Sequence, residues 1–336
     1  CTAAIGLTRH LWAMVTLRSI AWSGRGFRGP LRDYLLADAV EKTHYGRAYG
    51  FERAGDMLGA VAGPVVAAAM VWFHVPLDRI ILWGIVPGLL AAASMFFLAR
   101  ERKHSDHDEV PRPAASTSVG ADQTVADEAG FPRLYWRVLI GVMLFGMGDF
   151  SRTFLILLAA SALGNGEWGA SAAVGSGTGV VQLAFLPMLL YAGHNAISAL
   201  VAYSVGHFGD RRAKLPILVG GYVLGMLTNV ALIFGSGSML GLSVVFVMSA
   251  IYYAVEETLE KAVMADLLPR RLRSLGLGYL AGGNALGDMA SSIYVGALLQ
   301  AGKPQWGFGL AAAFGALGVV WMLLILPRVE KKLAAV

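Results

Sequence analysis

The chain has 336 residues, of which 56% are hydrophobic and 15% charged; soluble domains carry about 25% charged residues, so composition excludes an ordinary water-soluble enzyme or binding module. The formal net charge of +5 does not describe a nucleic-acid surface, because the basic residues fall in short loops between apolar runs, where orientation in a bilayer requires them. The only cysteine is Cys1, which excludes an intrachain disulfide and a cysteine-held metal.

A bilayer core takes about 20 apolar residues per helix, and about nine stretches meet that criterion. Residues 11–38 open apolar ("LWAMVTL") and end charged; residues 46–73 and 79–99 follow. Residues 100–133, with "ERKHSDHDEV", Pro111, Pro113 and scattered Ser, Thr and Asp, have the composition of a linker without a packed core. Six more stretches lie at 134–163, 180–207, 214–235, 239–266, 275–300 and 305–327, with a Gly-rich connection at 164–179. No strand-period alternation is sustained, which argues against a transmembrane barrel. The 42 glycines suit helices that approach closely in lipid.

Lys and Arg sort the loops. One alternate set holds Lys42 and Arg47, then Arg100, Arg102, Lys103, Arg112 and Arg133, then Arg211, Arg212 and Lys214, then Arg270, Arg271 and Arg273, and finally Arg328, Lys331 and Lys332. The other set holds little beyond Arg9, Arg79 and Lys303. The first set is therefore expected in the cytoplasm, with the linker and the C-terminus. The expectation is a multi-pass protein, placed in a bacterial or archaeal inner (plasma) membrane.

"LRDYLLADAVEKTHYGRAYGFERAGDMLG" (31–59) returns in paler form as "LEKAVMADLLPRRLRSLGLGYLAGGNALG" (259–287). At an offset of 228 positions, Ala37 and Asp38 meet Ala265 and Asp266, and Gly50, Gly55 and Gly59 meet Gly278, Gly283 and Gly287, without a gap. This reads as an internal duplication. Run backwards, the offset leaves the helices of 134–235 with partners ending near Leu7. The expectation is a chain that lacks its first three helices, consistent with a first residue that is Cys rather than Met.

Six plus six helices, a long linker and a basic loop inside the second half resemble the major facilitator superfamily. "GHFGDRRAK" is similar to that family's loop signature, with Gly206, Asp210, Arg211, Arg212 and Lys214 in place and Ala213 where a Gly is expected. Gly50, Gly59, Gly63 and Pro64 fall at the spacing of the family's antiporter motif, with Ala67 and Ala68 at its closing glycine pair. Physically, these glycines share one helical face that a neighbour can approach, and Pro64 removes a backbone donor. The resemblance implies an all-α bundle of two six-helix halves. Residues 1–99 would be the rest of the first half (the end of helix 3, then helices 4–6), 100–133 the linker, and 134–336 helices 7–12. It implies secondary transport of a small molecule by alternating access, with export favoured by the antiporter-like motif and proton-coupled import as the alternative. A transporter-shaped sensor that moves nothing is the reading from a different class. The loop signature's Asp would latch helix ends.

Ionisable side chains at bilayer depth are costly and should face a cavity or a partner. Offset pairs carry opposite signs: Arg28 with Glu256, Arg32 with Glu260, and Asp33 with Lys261. They are candidates for a cytoplasmic gate that closes in one state and parts in the other. The competing reading pairs each charge within its own half, as Arg32 with Glu52 or Arg28 with Asp56. "GMGDFSRTF" places Asp149 and Arg152 three apart, expected on one helical face, where they can pair or exchange a proton for the ion pair. Asp56, Glu256 and Glu257 are rival proton carriers, and Asp288 a weaker one. His194 and Asn195 can titrate or hydrogen-bond a substrate; Trp136, Tyr252 and Tyr253 are candidate cavity aromatics. No GK[ST] loop, HExxH or nucleophile with a base is present, so no enzyme, metal or cofactor is expected. The energy source would be a proton gradient, and the partners a small-molecule substrate and the lipid bilayer, with no nucleic acid and a monomeric state.

Overall fold

A computed structural model of the chain describes residues 1–8, 10–98, 130–163, 178–235 and 238–333. Most of the linker expected at 100–133 and of the glycine-rich connection at 164–179 lies outside the described residues. The described chain is helical: α1 Leu11–Ala39, α2 Tyr45–Trp72, α3 Leu77–Trp83, α4 Ile85–Leu98, α5 Arg133–Gly146, α6 Thr153–Leu163, α7 Thr178–Arg211, α8 Lys214–Gly235, α9 Met239–Leu267, α10 Arg270–Gln300 and α11 Pro304–Leu333, with short 3-10 turns at Ala3–Leu7 and Lys42–His44. No strand occurs among the described residues.

The duplication appears in the element bounds. Both α1 and α9 are 29 residues long, and Leu11–Ala39 shifted by 228 falls on Met239–Leu267. The end of α2 at Trp72 shifts onto the end of α10 at Gln300. Two expected helices are broken. Residues 79–99 divide at Gly84 into α3 and α4, and 134–163 divides into α5 and α6 around Met147–Arg152.

Two compact units result, Cys1–Phe27 with Ala67–Pro132, and Arg28–Val66 with Arg133–Val336. In the first, the turn Ala3–Leu7 lies on α3 so closely that a side chain at Gly6 would strike the Asp78 carbonyl oxygen. Its α4 leaves Leu89, Leu90, Phe96 and Phe97 exposed. In the second, α9 packs between α7 and α8, α8 lies on α11, and α5 lies against α10 and α11. An apolar core of Phe150, Leu158, Leu232, Leu242, Phe308 and their neighbours fills the end where α6, α8, α9, α10 and α11 meet. A smaller cluster of Ala37, Tyr45, Tyr49, Ala262 and Ala265 joins α1 and α2 to α9. Ala37 and Ala265 are repeat equivalents, and their size lets the two helices meet.

Four helical segments among the described residues are long and apolar enough to cross a membrane by length and composition: Asp78–Phe97, Lys214–Gly235, Leu240–Leu267 and Pro304–Lys331. Others depart from that standard for a physical reason: α1, α2 and α10 carry ionisable side chains, which require a polar interior. Large apolar side chains including Leu200, Phe234, Leu240 and Leu324 are exposed at 66–84% of their surface. Water would disfavour such an exterior, and lipid suits it.

Candidate functional site

The break between α5 and α6 creates the site. Gly146 lies against the backbone of Gly287, and a side chain at Gly148 would strike the backbone of Ala311 in α11. That approach displaces the chain from helical geometry and frees backbone groups. Neighbouring side chains take them up: Tyr294 donates to the Met147 carbonyl at 2.8 Å, Asn229 to Gly148 at 2.9 Å and Ser291 to Asp149 at 2.8 Å, while Ser292 accepts from the Ser151 N–H at 3.0 Å. Irregular backbone at membrane depth persists only where protein satisfies it in this way. The expected continuous helix is thereby corrected: Asp149 and Arg152 sit on the irregular segment, not on a shared helical face.

They nevertheless meet. Arg152 Nη2 lies 3.0 Å from Asp149 Oδ2, and the Tyr252 hydroxyl donates to Asp149 Oδ1 at 2.6 Å. Glu256, one turn along α9 from Tyr252, reaches the same guanidinium at 3.7 Å, too long for a hydrogen bond. Glu256 is 5% exposed, and its Oε2 makes no hydrogen bond among the described residues. Two carboxylates thus share one guanidinium, which also lies over the Tyr253 ring with Cζ 3.3 Å from the centroid.

The Tyr253 ring also carries Arg53 of α2, with its Cζ 4.5 Å from the centroid. Arg53 is 6% exposed and pairs with Asp56 at 3.1 Å and Glu257 at 3.8 Å. Lys261 then links Glu257 at 3.5 Å to Asp33 at 3.4 Å, and Arg32 links Asp33 at 3.5 Å to Glu52 at 2.6 Å. One chain of charges therefore runs from Glu52 in α2 to Asp149. It holds the cations Arg32, Lys261, Arg53 and Arg152 and the carboxylates Glu52, Asp33, Glu257, Asp56, Glu256 and Asp149. Carboxylates outnumber cations. Glu256 lies 11 residues before the end of α9, or about 16 Å at 1.5 Å per residue.

The opposite-sign offset pairs fare differently. Asp33 and Lys261 meet. Arg32 and Glu260 do not: Arg32 is held by Glu52 in its own half, while Glu260 accepts from Tyr222 and from Asn284 Nδ2 at 2.8 Å in its own half. Arg28 and Glu256 do not meet either. Arg28 is exposed and makes no ion pair with Glu256 or Asp56; the expected pairing is corrected to Arg152 with Glu256. His194 is buried, shares a 3.2 Å contact with Ser249 Oγ, and lies 6.1 Å from the Tyr253 ring centre, with buried Asn195 beside it. Asp288 is half-buried on α10. Trp136 is not a cavity aromatic: it is 41% exposed and packs on Tyr135 and Tyr279.

The loop signature lies where α7 meets α2. Asp210 Oδ1 and Oδ2 accept the Gly46 and Arg47 backbone N–H groups at 2.8 Å each, a carboxylate on the unsatisfied donors of a helix start. Lys214 spans Asp210 at 3.7 Å, Asp266 at 2.7 Å and the Lys42 carbonyl at 3.4 Å. Gly206 and Gly46 are in backbone contact, and Gly50 lies on the Ala202 carbonyl. Arg211 and Arg212 are exposed. Of the antiporter-like glycines only Gly50 meets a neighbour; side chains built at Gly59 and Gly63 would meet nothing within 4 Å among the described residues, and Pro64 lies inside α2. Between α1 and α10 lies a bidentate pair, Arg270 with Asp38, at 2.6 and 2.8 Å.

Sequence reasoning missed Arg53, Tyr222, Asn284 and the role of the Asp38–Arg270 pair. Arg53 carried a legible signal, since it lies between Glu52 and Asp56 at bilayer depth. Tyr222 and Asn284 carried none apart from their positions on apolar helices.

A lipid-compatible helical bundle that encloses a charge chain running between two repeat-related sets of helices defines an integral membrane protein of the secondary-transporter class. The profile of the Major Facilitator Superfamily matches residues 1–195 and again 188–335, and the chain belongs to that family. It is 22% identical over 325 residues to an uncharacterized MFS-type transporter of Methanocaldococcus jannaschii, covering 96% of this chain and 74% of the relative. It is 26% identical over 349 residues to uncharacterized proteins of Mycobacterium bovis and Mycobacterium tuberculosis, covering 97% of this chain and 74% of each.

Proposed function

We propose that the protein is a proton-coupled secondary transporter that exports a small organic molecule by alternating access. One observation carries this: Asp149 and Glu256 share the single guanidinium of Arg152 beneath the Tyr253 ring. A guanidinium cannot neutralise two buried carboxylates, so one of them exchanges an ion pair for a proton. Arg152, released or recaptured, then signals occupancy to Glu257 and Arg53 through Tyr253. Substrate that competes with the proton for these carboxylates makes the exchange an antiport. The antiporter-like spacing of Gly50, Gly59 and Gly63 favours the same direction.

The distribution of Lys and Arg supports a cytoplasmic position for the Asp210 end of the bundle. There the contacts of Asp210, Lys214, Arg270 and Lys261 across the seam favour a state closed on the cytoplasmic side, and alternating access requires these contacts to part.

The test uses everted membrane vesicles, energised so that the interior is acidic and followed by an internal pH dye. Compounds are added from the bath, which is the cytoplasmic side. The expected result is alkalinisation that depends on the protein and is lost in Asp149→Asn. Acidification on substrate addition would replace export by import. Substrate binding without dye movement or flux would leave a sensor of the same fold.

A further inference from the structure

We propose that the outer groove formed by α1, α2 and α7 binds one anionic glycerophospholipid of the leaflet at the Asp210 end. The inference is independent of substrate and of transport direction. The groove is open to the outside, has a volume of about 540 Å³ and is lined by Leu36, Val40, Glu41, His44, Arg47, Ala48, Phe51 and Tyr203. Two of its walls are aromatic and face outward, with Phe51 72% and Tyr203 49% exposed. Water would not stabilise such walls; an acyl chain does.

The two flanking helices repeat one gradient. Along α2, Phe51 is followed toward the helix start by Arg47, with His44 in the turn just before it, and along α7, Tyr203 is followed toward the helix end by His207 and Arg211. At helical spacing each set shares a face. Tyr203 to Arg211 spans eight residues, about 12 Å at 1.5 Å per residue, so aromatics lie at chain depth and cations at headgroup depth. His207 lies within electrostatic reach of Arg211, Arg47 and Asp210, so the two ends converge.

Charge selects the headgroup. Arg47 is half-exposed: its Nε is buried 3.8 Å from Asp210, so the exposure lies on the rest of its side chain. Asp210 is spent inward, on the Gly46 and Arg47 backbone and on Lys214. At the mouth, half-exposed Arg47 and exposed Arg211 face Glu41 and Asp210, and Lys214 shares the Asp210 charge, so the cations are in excess by one. A phosphodiester with a net negative charge fits that balance better than a zwitterion. The backbone contacts of Gly46 with Gly206 and Gly50 with Ala202 close the seam beside the groove. A lipid seated there touches both sides of the seam and opposes its opening.

The test reconstitutes the full chain carrying Tyr203→Trp in phosphatidylcholine vesicles that contain equal mole fractions of phosphatidylglycerol. Either lipid is brominated at mid-chain in turn, and quenching is corrected for the unsubstituted protein. Quenching several-fold stronger from the phosphatidylglycerol chain is expected, falling to parity when Arg47→Gln and Arg211→Gln are added and persisting when Arg328→Gln is added instead. Parity in the parent overturns the proposal. So does a preference that survives Arg47→Gln with Arg211→Gln, or one that Arg328→Gln abolishes equally, since the basic end would then attract lipid as a whole. Native mass spectrometry of the unsubstituted protein from an equal mixture of the two lipids is the check that needs no variant. One retained phosphatidylglycerol supports the site, and equal retention of both lipids overturns it.

Discussion

At the residue scale, the chemistry concentrates on Arg152. Its guanidinium lies over Tyr253, Cζ 3.3 Å from the ring centre, while its Nη2 reaches Asp149 and Glu256. Only a planar fork does both, so lysine is no substitute. Arg152→Gln leaves two buried carboxylates without a cation, which costs about 3–5 kcal/mol. The thermal midpoint of the protein in detergent is expected to fall accordingly, and adding Glu256→Gln should restore part of it; a midpoint that the second change does not raise would show that Glu256 is not held by Arg152. Asp149→Asn keeps the shape of the side chain and the Tyr252 contact but cannot carry a proton. Proton-driven transport should be lost while substrate exchange across the membrane without a gradient continues. Driven transport in that variant would move the proton role to Glu256.

At the element scale, the seam between α2 and α7 is closed by backbone against backbone. A methyl at Gly50 meets the Ala202 carbonyl, with Tyr203 Cα 3.3 Å away, and neither can rotate aside. Gly50→Ala should cost about 1–3 kcal/mol, as overpacking does. A side chain at Gly220 on α8 would meet nothing within 4 Å among the described residues, and there alanine should be neutral or gain up to about 1 kcal/mol of helix propensity. Unfolding midpoints of the two variants test the contrast; equal shifts would mean that the seam is not tightly closed. The break between α5 and α6 follows the same logic, because Gly148 lets α11 approach and the displaced backbone carries Asp149 and Arg152 into the charge chain.

At the scale of the whole molecule, contacts that join α1 and α2 to α7, α9 and α10 gather at one end. The most exposed of them is also geometrically strong: Arg270 grips Asp38 with two nitrogens at 2.6 and 2.8 Å. If this layer is a gate, Asp38→Arg or Arg270→Asp alone should open it and the two together should close it again. Cys1 is the only cysteine, so its removal allows spin labels at Thr43→Cys and Arg212→Cys. The inter-label distance is expected to lengthen in each single reversal and to return in the double. A distance indifferent to all three variants would make the layer passive packing.

The sequence by itself determined the class and the repeat. An apolar composition with charges confined to loops and to a few helix turns dictates a membrane bundle, since free charge in hydrocarbon is prohibitive. The 228-residue offset anticipated helix bounds that the structure places in register from Leu11–Ala39 to Met239–Leu267. Sequence also marked most members of the charge chain, because any ionisable residue at that depth must have a partner. It could not say which partner. Repeat symmetry paired Arg32 with Glu260, and helical spacing put Asp149 and Arg152 on one face. Yet Glu52 and Asn284 lie closer through the packing of adjacent helices, and a glycine contact with α11 breaks the helix. Those choices depend on distances between elements far apart in the chain, and only the tertiary structure decided them.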